Sequence, residues 1–270
     1  MAIHLRTTVT YTPGGPWRFA SGGHEEGGAW TRYVTGVIEV LEEEGLAPEP
    51  GALEIASQLP EGLGLASSAA LEVAVAGALC DAPPLEIARL CRRAENDKVG
   101  VPCGPMDQAV AACAIAGNVL ALDCADGTFF HLPLQHAWIL AFDTGISRTL
   151  RDTPYAERLR EAGEPGTPAA RHVAEEKQRV AAGIEYLDRG DLRRFGGLVN
   201  ESHASLRDLY RCSLPEIDDL VERLWITPGV FGARLVGAGW GGCVLALVEP
   251  GTKLRGATHL ASDDGLYRVE

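Results

Sequence analysis

Two glycines and two serines, set between a strand-like and a helix-like segment, are the first residues of this chain suited to chemistry. They lie in Pro60-Glu61-Gly62-Leu63-Gly64-Leu65-Ala66-Ser67-Ser68-Ala69-Ala70. Gly62 and Gly64 permit φ > 0 and let the main chain approach a ligand closely. The small residues from Ala66 to Ala70 leave the helix N-terminus uncovered, where free N–H groups and the helix dipole favour phosphate. The hydroxyls of Ser67 and Ser68 add contacts for phosphate or Mg²⁺. The string is not a Walker A loop, since no Gly-Lys-Ser/Thr follows, and it lacks the later acidic residue of a dinucleotide fingerprint. Taken alone, a two-glycine turn is also an ordinary strand–turn–helix with a serine N-cap.

A second candidate is Ala94-Glu95-Asn96, followed by Gly100-Val101-Pro102-Cys103-Gly104-Pro105-Met106-Asp107-Gln108. It places Asp107 in the first turn of a buried helix, where the N-terminus stabilises a carboxylate. That structural role is the plain reading of the residue by itself. A third is Ala233-Arg234-Leu235-Val236-Gly237-Ala238-Gly239-Trp240-Gly241-Gly242-Cys243-Val244. Two strands around a glycine turn make a hairpin. The four glycines Gly237, Gly239, Gly241 and Gly242 exceed what a turn needs, which points to something packing on their backbone. No nucleophilic triad is visible, and the seven histidines show no metal-ligand spacing. His131 and His136 fit a strand and a loop.

These residues need a scaffold, and the patterning supplies one. Alternating Thr and Val over Ile3 to Tyr11 predicts a strand, and Pro13 to Gly28 a glycine-rich loop. Trp30, Tyr33, Val34, Val37, Ile38 and Leu41 form one stripe at helical spacing, ended by Gly45. Further helices are expected over Ser67 to Leu79, Leu85 to Asp97, Cys103 to Ile115, Ala169 to Asp188, Asp191 to Leu209 and Leu214 to Trp225. Ser213 would cap the last, with Pro215 and Glu216 in its first turn. Strands are expected at Ala52 to Gln58, Val119 to Asp123, Trp138 to Asp143, Ala233 to Val236 and Cys243 to Val248. Ala162 to Ala170 is a loop of biased composition. Helices and strands mix without βαβ alternation, so the expected class is α+β.

Composition narrows the function. A chain of 270 residues is near the upper limit for one core, which favours two lobes. A formal charge of −13 argues against broad binding to nucleic acid or anionic membranes. No apolar run is long enough to span a bilayer, and Met1 to Thr10 shows no signal-peptide pattern. Seven cysteines, odd in number and irregularly spaced with no C-x-x-C, argue against a disulfide framework or zinc site, and most read as small core residues in a reducing cytoplasm.

The three strings together resemble the GHMP kinases, and within them the galactokinases. Pro60 to Ala70 matches the phosphate-loop pattern P-x-G-x-G-L-x-S-S-A-A at every fixed position. The resemblance implies that Gly62, Gly64, Leu65, Ala66 and Ser67 bind ATP phosphates and that Ser68 also helps hold Mg²⁺. The second string is similar to A-E-x-x-x-x-G-x-x-C-G-I-M-D-Q, with Pro105 in place of Ile. It implies Glu95 as a metal ligand, Asp107 as the base or orienting carboxylate beside the phosphorylated hydroxyl, and Gly104 as a place where sugar approaches the backbone. The third is similar to G-A-G-W/F-G-G-C, a loop that supports the phosphate loop. Trp30 to Ile38 resembles W-A-N-Y-V-x-G-V-I, which implies Trp30 and Tyr33 beside adenine; core packing on an amphipathic helix is the competing reading. Arg148-Thr149-Leu150, Tyr155 and Arg158 match R-x-L…S-E-Y-x-x-R-R in part, with Pro154 and Leu159 departing from it, and imply that Tyr155 contacts sugar. Glu201 to Asp208 is close to E-S-H-x-S-L-R-D, read as packing, with His203 a structural histidine.

The fold implied is two α+β lobes, one like ribosomal S5 domain 2 over residues 1–132 and one ferredoxin-like over 133–270. The activity implied is ATP- and Mg²⁺-dependent phosphorylation of the anomeric hydroxyl of galactose or a close sugar. The expectation is a cytoplasmic monomer with small-molecule substrates and neither nucleic acid nor membrane as partner. One family string has no counterpart, P-G-R-V-N-x-I-G-E-H-T-D-Y, which supplies an Arg beside the catalytic Asp and side chains that grip the sugar. A chain without it is expected to be impaired in turnover, and a non-catalytic nucleotide- or sugar-binding role, or a kinase for another sugar, stands as the alternative.

Overall fold

The structure, a computed structural model, describes residues 1–22, 27–60, 62–146 and 153–269. The chain divides into two compact units. One comprises Met1–Leu59, Ala66–His131 and the segment from Ser262 onward; the other comprises Pro60–Leu65 and Leu132–Ala261. The units thus do not follow chain order as the expected 1–132 and 133–270 lobes do. The physical reason lies at the C-terminus, which is tied to the first unit.

In the first unit, β2 (Thr7–Pro13) pairs antiparallel with β4 (Gly51–Ser57), and β3 (Arg18–Ser21) pairs parallel on the other side of β4. The segment Pro13 to Gly28, expected to be loop throughout, therefore contains a strand. Four residues flanked by glycines are too short for alternation to show, and the pairing with β4 decides. Helices α1 (Thr31–Glu43), α2 (Ser67–Leu79), α3 (Pro84–Arg93) and α4 (Met106–Cys113) complete the unit. Between α3 and α4 the chain makes a π-helical turn, Ala94–Val99, where the sequence predicts continued α-helix. The two-stranded ribbon of β5 (Asn118–Leu122) and β6 (Phe129–Pro133) follows.

The core of this unit joins Val34, Val37 and Leu41 of α1, Leu53 and Ile55 of β4, Val73 and Ala76 of α2 and Ile87 and Cys91 of α3. The α1 stripe faces inward as its spacing predicts, whereas α2 is apolar nearly all round and is a core helix. A short strand, β1 (Ala2–Ile3), pairs antiparallel with β11 (Ser262–Asp263). Arg6 adds an ion pair to Asp263 at 2.6 Å and lies 4.2 Å from the centre of the Tyr267 ring. Arg268 donates to the carbonyls of Gly77 at 3.1 Å and Cys80 at 2.7 Å, two acceptors left at the end of α2.

The second unit carries a four-stranded antiparallel sheet in the order β10 (Ala257–Leu260), β7 (Trp138–Asp143), β9 (Cys243–Val248), β8 (Val230–Leu235). Numbered within the unit this is 4-1-3-2, the ferredoxin-like order. No helix intervenes between β9 and β10. Helices α5 (Tyr155–Ala162), α6 (Pro168–Asp188), α7 (Leu192–Ser205) and α8 (Pro215–Trp225) lie between β7 and β8 in the chain, with a π-helical turn at Leu206–Tyr210. The N-cap of α8 is Leu214, with no side-chain cap. Ser213, the expected cap, donates instead to Asp218 Oδ1 at 2.5 Å.

Side chains of α7 serve the edge strand β8. Asn200 Oδ1 accepts from the Ala233 N–H at 2.9 Å, and His203 Nδ1 accepts from the Leu235 N–H at 3.2 Å. His203 is fully buried and its Nε2 lies 3.1 Å from Asp218 Oδ1, so it is the neutral Nε2–H tautomer, a satisfied structural histidine. Burial lowers its pKa, with the Asp218 carboxylate opposing. The helix comes this close because Gly196 and Gly232 meet. A Cβ on Gly196 would stand 2.2 Å from the Phe231 carbonyl oxygen, and one on Gly232 would stand 2.2 Å from that of Gly196. Gly196→Ala is therefore expected to lower the urea midpoint by the equivalent of about 2–3 kcal/mol, as backbone must move. The neighbouring Gly197→Ala, with nothing within 4 Å of the added carbon, is expected to raise stability by about 0.5–1 kcal/mol. Equal effects of the two would refute this account of the α7–β8 contact.

Candidate active site

The phosphate-loop string forms a turn in which Gly62 (φ +75°), Gly64 (φ +73°) and Ala66 (φ +58°, ψ +42°) are all left-handed. For the glycines this carries little strain; for Ala66, an L residue, it must be held by its surroundings. Ala66 is the N-cap of α2, and no side chain caps that helix. Ser67 and Ser68 lie inside the helix, so the serine N-cap reading does not hold, and the first N–H groups of α2 stay without the usual side-chain acceptor. This is the arrangement that favours an anion.

Within the second unit, the glycine hairpin between β8 and β9 runs through positive φ at Gly237 (+72°), Gly239 (+93°), Trp240 (+55°), Gly241 (+139°) and Gly242 (+87°). Contacts explain the glycines at two of these positions. A Cβ on Gly242 would lie 2.9 Å from the Leu63 carbonyl oxygen, and one on Gly239 would lie 2.4 Å from that of Cys212. The Trp240 N–H donates to the Cys212 carbonyl at 2.7 Å. Thr144 anchors the loop from the end of β7, its hydroxyl donating to the Gly242 carbonyl at 2.7 Å, while the Gly242 N–H donates to Ile146 O at 3.0 Å. The backbone of the hairpin thus meets that of the phosphate loop at Leu63, with no side chain between.

In the first unit the acidic residues converge. Glu95 sits in the π-helical turn, only 5% exposed. Its Oε1 accepts from the Ser68 hydroxyl at 3.2 Å, and its Oε2 accepts from Gln108 Nε2 at 2.6 Å. A π turn is itself often found at functional sites, since it re-aims one side chain of a helix. Here α1 braces it. Gly36 leaves room for Lys98, whose Cβ would be 3.1 Å from an added carbon, and Arg32 donates to the Val99 carbonyl at 3.0 Å. Asn96 clamps the chain that leads to α4, accepting from the Cys103 N–H at 2.9 Å and donating to the Cys103 carbonyl at 3.3 Å.

Asp107 lies in the first turn of α4, as its sequence position predicts, and remains exposed. Protein crowding around its carboxyl and, secondarily, the charge of Glu95 raise its pKa above the usual carboxylate value. Gly104 faces open space. Trp30, the N-cap of α1, is half-buried and packs on the core of the first unit; Tyr33 is half-buried one turn on. Tyr155 begins α5 in the second unit beside Tyr210, whose pKa is pushed up to about 12 by burial and then by Tyr155. Arg148, Thr149 and Leu150 lie outside the described residues.

The structure therefore brings Ser68, Glu95 and Asp107 into one cluster and the phosphate-loop and hairpin glycines into another. It also adds residues that the motifs did not single out. Glu72 is completely buried on α2, its Oε2 accepting from Gln108 Nε2 at 3.1 Å. Burial, and next the charge of Glu95, push its pKa up to about 9, partly offset by the Gln108 hydrogen bond. A single charged residue in an otherwise apolar, Ala-rich helix was a visible signal for it. Burial and Glu95 likewise push the Cys103 thiol up, and its sulfur accepts weakly from Asn96 and Gln108. Among the described residues no cluster of three or more His, Cys, Asp and Glu side chains could hold a metal. No helix of the described residues is long and apolar enough to cross a membrane.

Glu72 also gives stability a pH dependence. The unfolded chain releases this proton above about 4.5 while the folded chain keeps it to about 9. The folded state then binds more protons than the unfolded one, so stability falls as pH rises through that window. Glu72→Gln is expected to flatten this decline in chemical denaturation series at several pH values; an unchanged slope would refute it.

Comparison with known proteins agrees with this geometry. Residues 32–115 match the model of the GHMP kinases N terminal domain, and residues 184–259 match that of the GHMP kinases C terminal domain. The chain is 39% identical over 259 residues to a galactokinase of Roseiflexus sp. (strain RS-1), covering 82% of this chain and 66% of that protein. It is 36% identical over 252 residues to the galactokinase of Thermotoga maritima, covering 82% of this chain and 72% of that one. The chain thus spans about two thirds of the length of such relatives. The crystal structure of Lactococcus lactis galactokinase complexed with galactose superposes with a TM-score of 0.88 at 27% identity, over 97% of this chain and 87% of that one. On these matches and on the phosphate loop, the π-turn glutamate and the glycine hairpin already described, the chain belongs to the GHMP kinase family, in its galactokinase branch.

Proposed function

We propose that the protein is an ATP-dependent sugar 1-kinase that converts galactose and ATP into galactose 1-phosphate and ADP. The observation that carries this reading is the 3.2 Å approach of Ser68 Oγ and Glu95 Oε1 beside the uncapped N-terminus of α2. These oxygens fit Mg²⁺, which takes hard oxygen ligands at about 2.0–2.1 Å in an octahedron and leaves several positions to water and substrate phosphate. Ser68 and Glu95 would hold the ion, and when bound it supplies charge neutralisation for the ATP phosphates.

The chain's own groups account for the remaining roles. Main-chain N–H groups at Gly62, Gly64, Leu65, Ala66 and Ser67 cradle phosphate oxygens, while Trp30 and Tyr33 provide an apolar face for the base. Asp107 takes the proton from the anomeric hydroxyl as its oxygen bonds to the γ-phosphorus and the bond to the β–γ bridging oxygen breaks, releasing ADP. Tyr155 and the open backbone at Gly104 contact the sugar. Gly237, Gly239, Gly241 and Gly242 support the phosphate loop through backbone contact. Because the transition state is loose, positioning and charge neutralisation dominate, and few protein groups suffice.

Two measurements test the reading. Asp107→Asn is expected to lower kcat for galactose phosphorylation by about 10²–10⁴-fold, the range of a positioned acid–base group, with ATP affinity retained. Ser68→Ala is expected to lower kcat/KM by about 10- to 100-fold, the worth of a charge-assisted contact of about 1.5–3 kcal/mol. Nucleotide and sugar binding without any phosphate transfer, in the unaltered protein, would replace the kinase reading with a binding role.

A further inference from the structure

Gln108 has one carboxamide nitrogen and two carboxyl groups to serve. Its Nε2 donates to Glu95 Oε2 at 2.6 Å and to Glu72 Oε2 at 3.1 Å, so its two hydrogens have carboxyl acceptors, with only a long, weak contact of 3.7 Å left to Cys103 Sγ. Gln108 and Glu72 are each fully buried. Two buried oxygens of this same pair, Gln108 Oε1 and Glu72 Oε1, have no ordinary donor. Buried acceptors are rarely left in this way. One hydrogen resolves both, because a carboxylic acid and a primary amide form a closed ring of two hydrogen bonds, with N–H donating one way and O–H the other.

We propose that Glu72 is a neutral carboxylic acid whose O–H donates to Gln108 Oε1, and that this ring fixes the carboxamide so that its second N–H is aimed at Glu95. Glu72 and Gln108 are then positioning residues for the carboxylate that would face the metal, and the assignment rests on the proposed kinase site. The upward push on the Glu72 pKa agrees with it. The titratable groups acting on Glu72 are Glu95 from the π turn, Cys91 from α3 and Cys103 from the loop before α4.

The connectivity explains why an acid is useful there. Ser68 and Glu72 are four residues apart and share one face of α2. Ser68 donates to Glu95 Oε1, and Gln108 donates both to Glu95 Oε2 and back to Glu72 Oε2. Both Glu95 oxygens are engaged, and the circuit begins and ends on one helix. Gln108 also follows Asp107 directly on α4, so the same carboxamide ties the helix of the proposed base to the π turn of the metal-facing acid. Partners in this outer position orient ligands and govern metal affinity.

The test uses Mn²⁺ with AMP-PNP as probe, bound Mn²⁺ being read by electron paramagnetic resonance on the full chain. Glu72→Leu is expected to weaken Mn²⁺ by about 10- to 100-fold. Glu72→Gln is expected to leave it near the unaltered value, because a second carboxamide closes the same ring. Equal weakening by both substitutions, or by neither, would overturn the proposal. Should Glu72→Leu not fold, infrared difference spectra of the unaltered chain against Glu72→Gln decide at neutral pH. Loss of a protonated-carboxyl carbonyl band supports the ring, and loss of ionised-carboxylate bands alone overturns it. An unaltered chain that binds no Mn²⁺ with AMP-PNP, yet shows the protonated band, would overturn the kinase site and the positioning role while leaving the acid–amide pair standing.

Discussion

The start of α2 is a helix N-terminus that no side chain caps, and the rest of the site is arranged around that constraint. An uncapped terminus gives up about 1 kcal/mol that Ser, Thr, Asp or Asn would supply. Two serines lie immediately next to the cap position and neither serves it, since Ala66 occupies the cap in a left-handed conformation. The helix tolerates this because its body is core: Val73, Val75 and Ala76 are buried in the same cluster as residues of α1, α3 and β4. Its far end is closed by Arg268, which donates to two terminal carbonyls. Stability is thereby supplied along the helix and at its C-terminal end, leaving the N-terminal N–H groups available.

The turn that leads into α2 is held by backbone. Leu63 lies against Gly242, and the Gly242 carbonyl and N–H are both bonded to the segment that follows β7. Contact at this range excludes any Cβ, so the hairpin is glycine at positions where even alanine would collide. The α7–β8 contact obeys the same rule through Gly196 and Gly232, with Asn200 and His203 bonding the strand's N–H groups. In both places glycine serves close approach, and precise placement follows from main-chain contact, which has no rotamers to vary.

The acidic cluster shows a second economy. Glu72, Glu95 and Asp107 would repel if all were ionised and close together. Burial makes the charged form of Glu72 unfavourable, while Asp107 keeps solvent contact, its pKa raised by protein crowding and by Glu95. Different degrees of enclosure thus favour the neutral form of neighbouring carboxyl groups to different extents. Gln108, a neutral double donor, stands between the two buried ones and removes the need for a buried cation.

Much of this was legible in the chain itself. Ser67 to Leu79, Trp138 to Asp143 and Cys243 to Val248 begin and end where patterning places them, because runs of one periodicity bounded by glycine or a polar turn leave little choice. The phosphate loop, the glycine hairpin and the place of Asp107 in a first helical turn follow from local strings for the same reason: such backbone demands are met by few residue types. Tertiary structure decided what no local string encodes. The strand Arg18–Ser21 exists only through pairing with β4, and the C-terminal residues join the first unit through long-range contacts, among them those with β1, Gly77, Cys80 and Ala112. The π turn appears where α-helix was the local preference, since packing of α1 on Lys98 and Val99 sets the path there. Ser213 passes over its helix terminus for Asp218. Glu72 and Gln108 are 36 residues apart and meet only in the folded core; a sequence fixes which groups a chain carries, but burial, and with it protonation, is a property of neighbours brought together by folding.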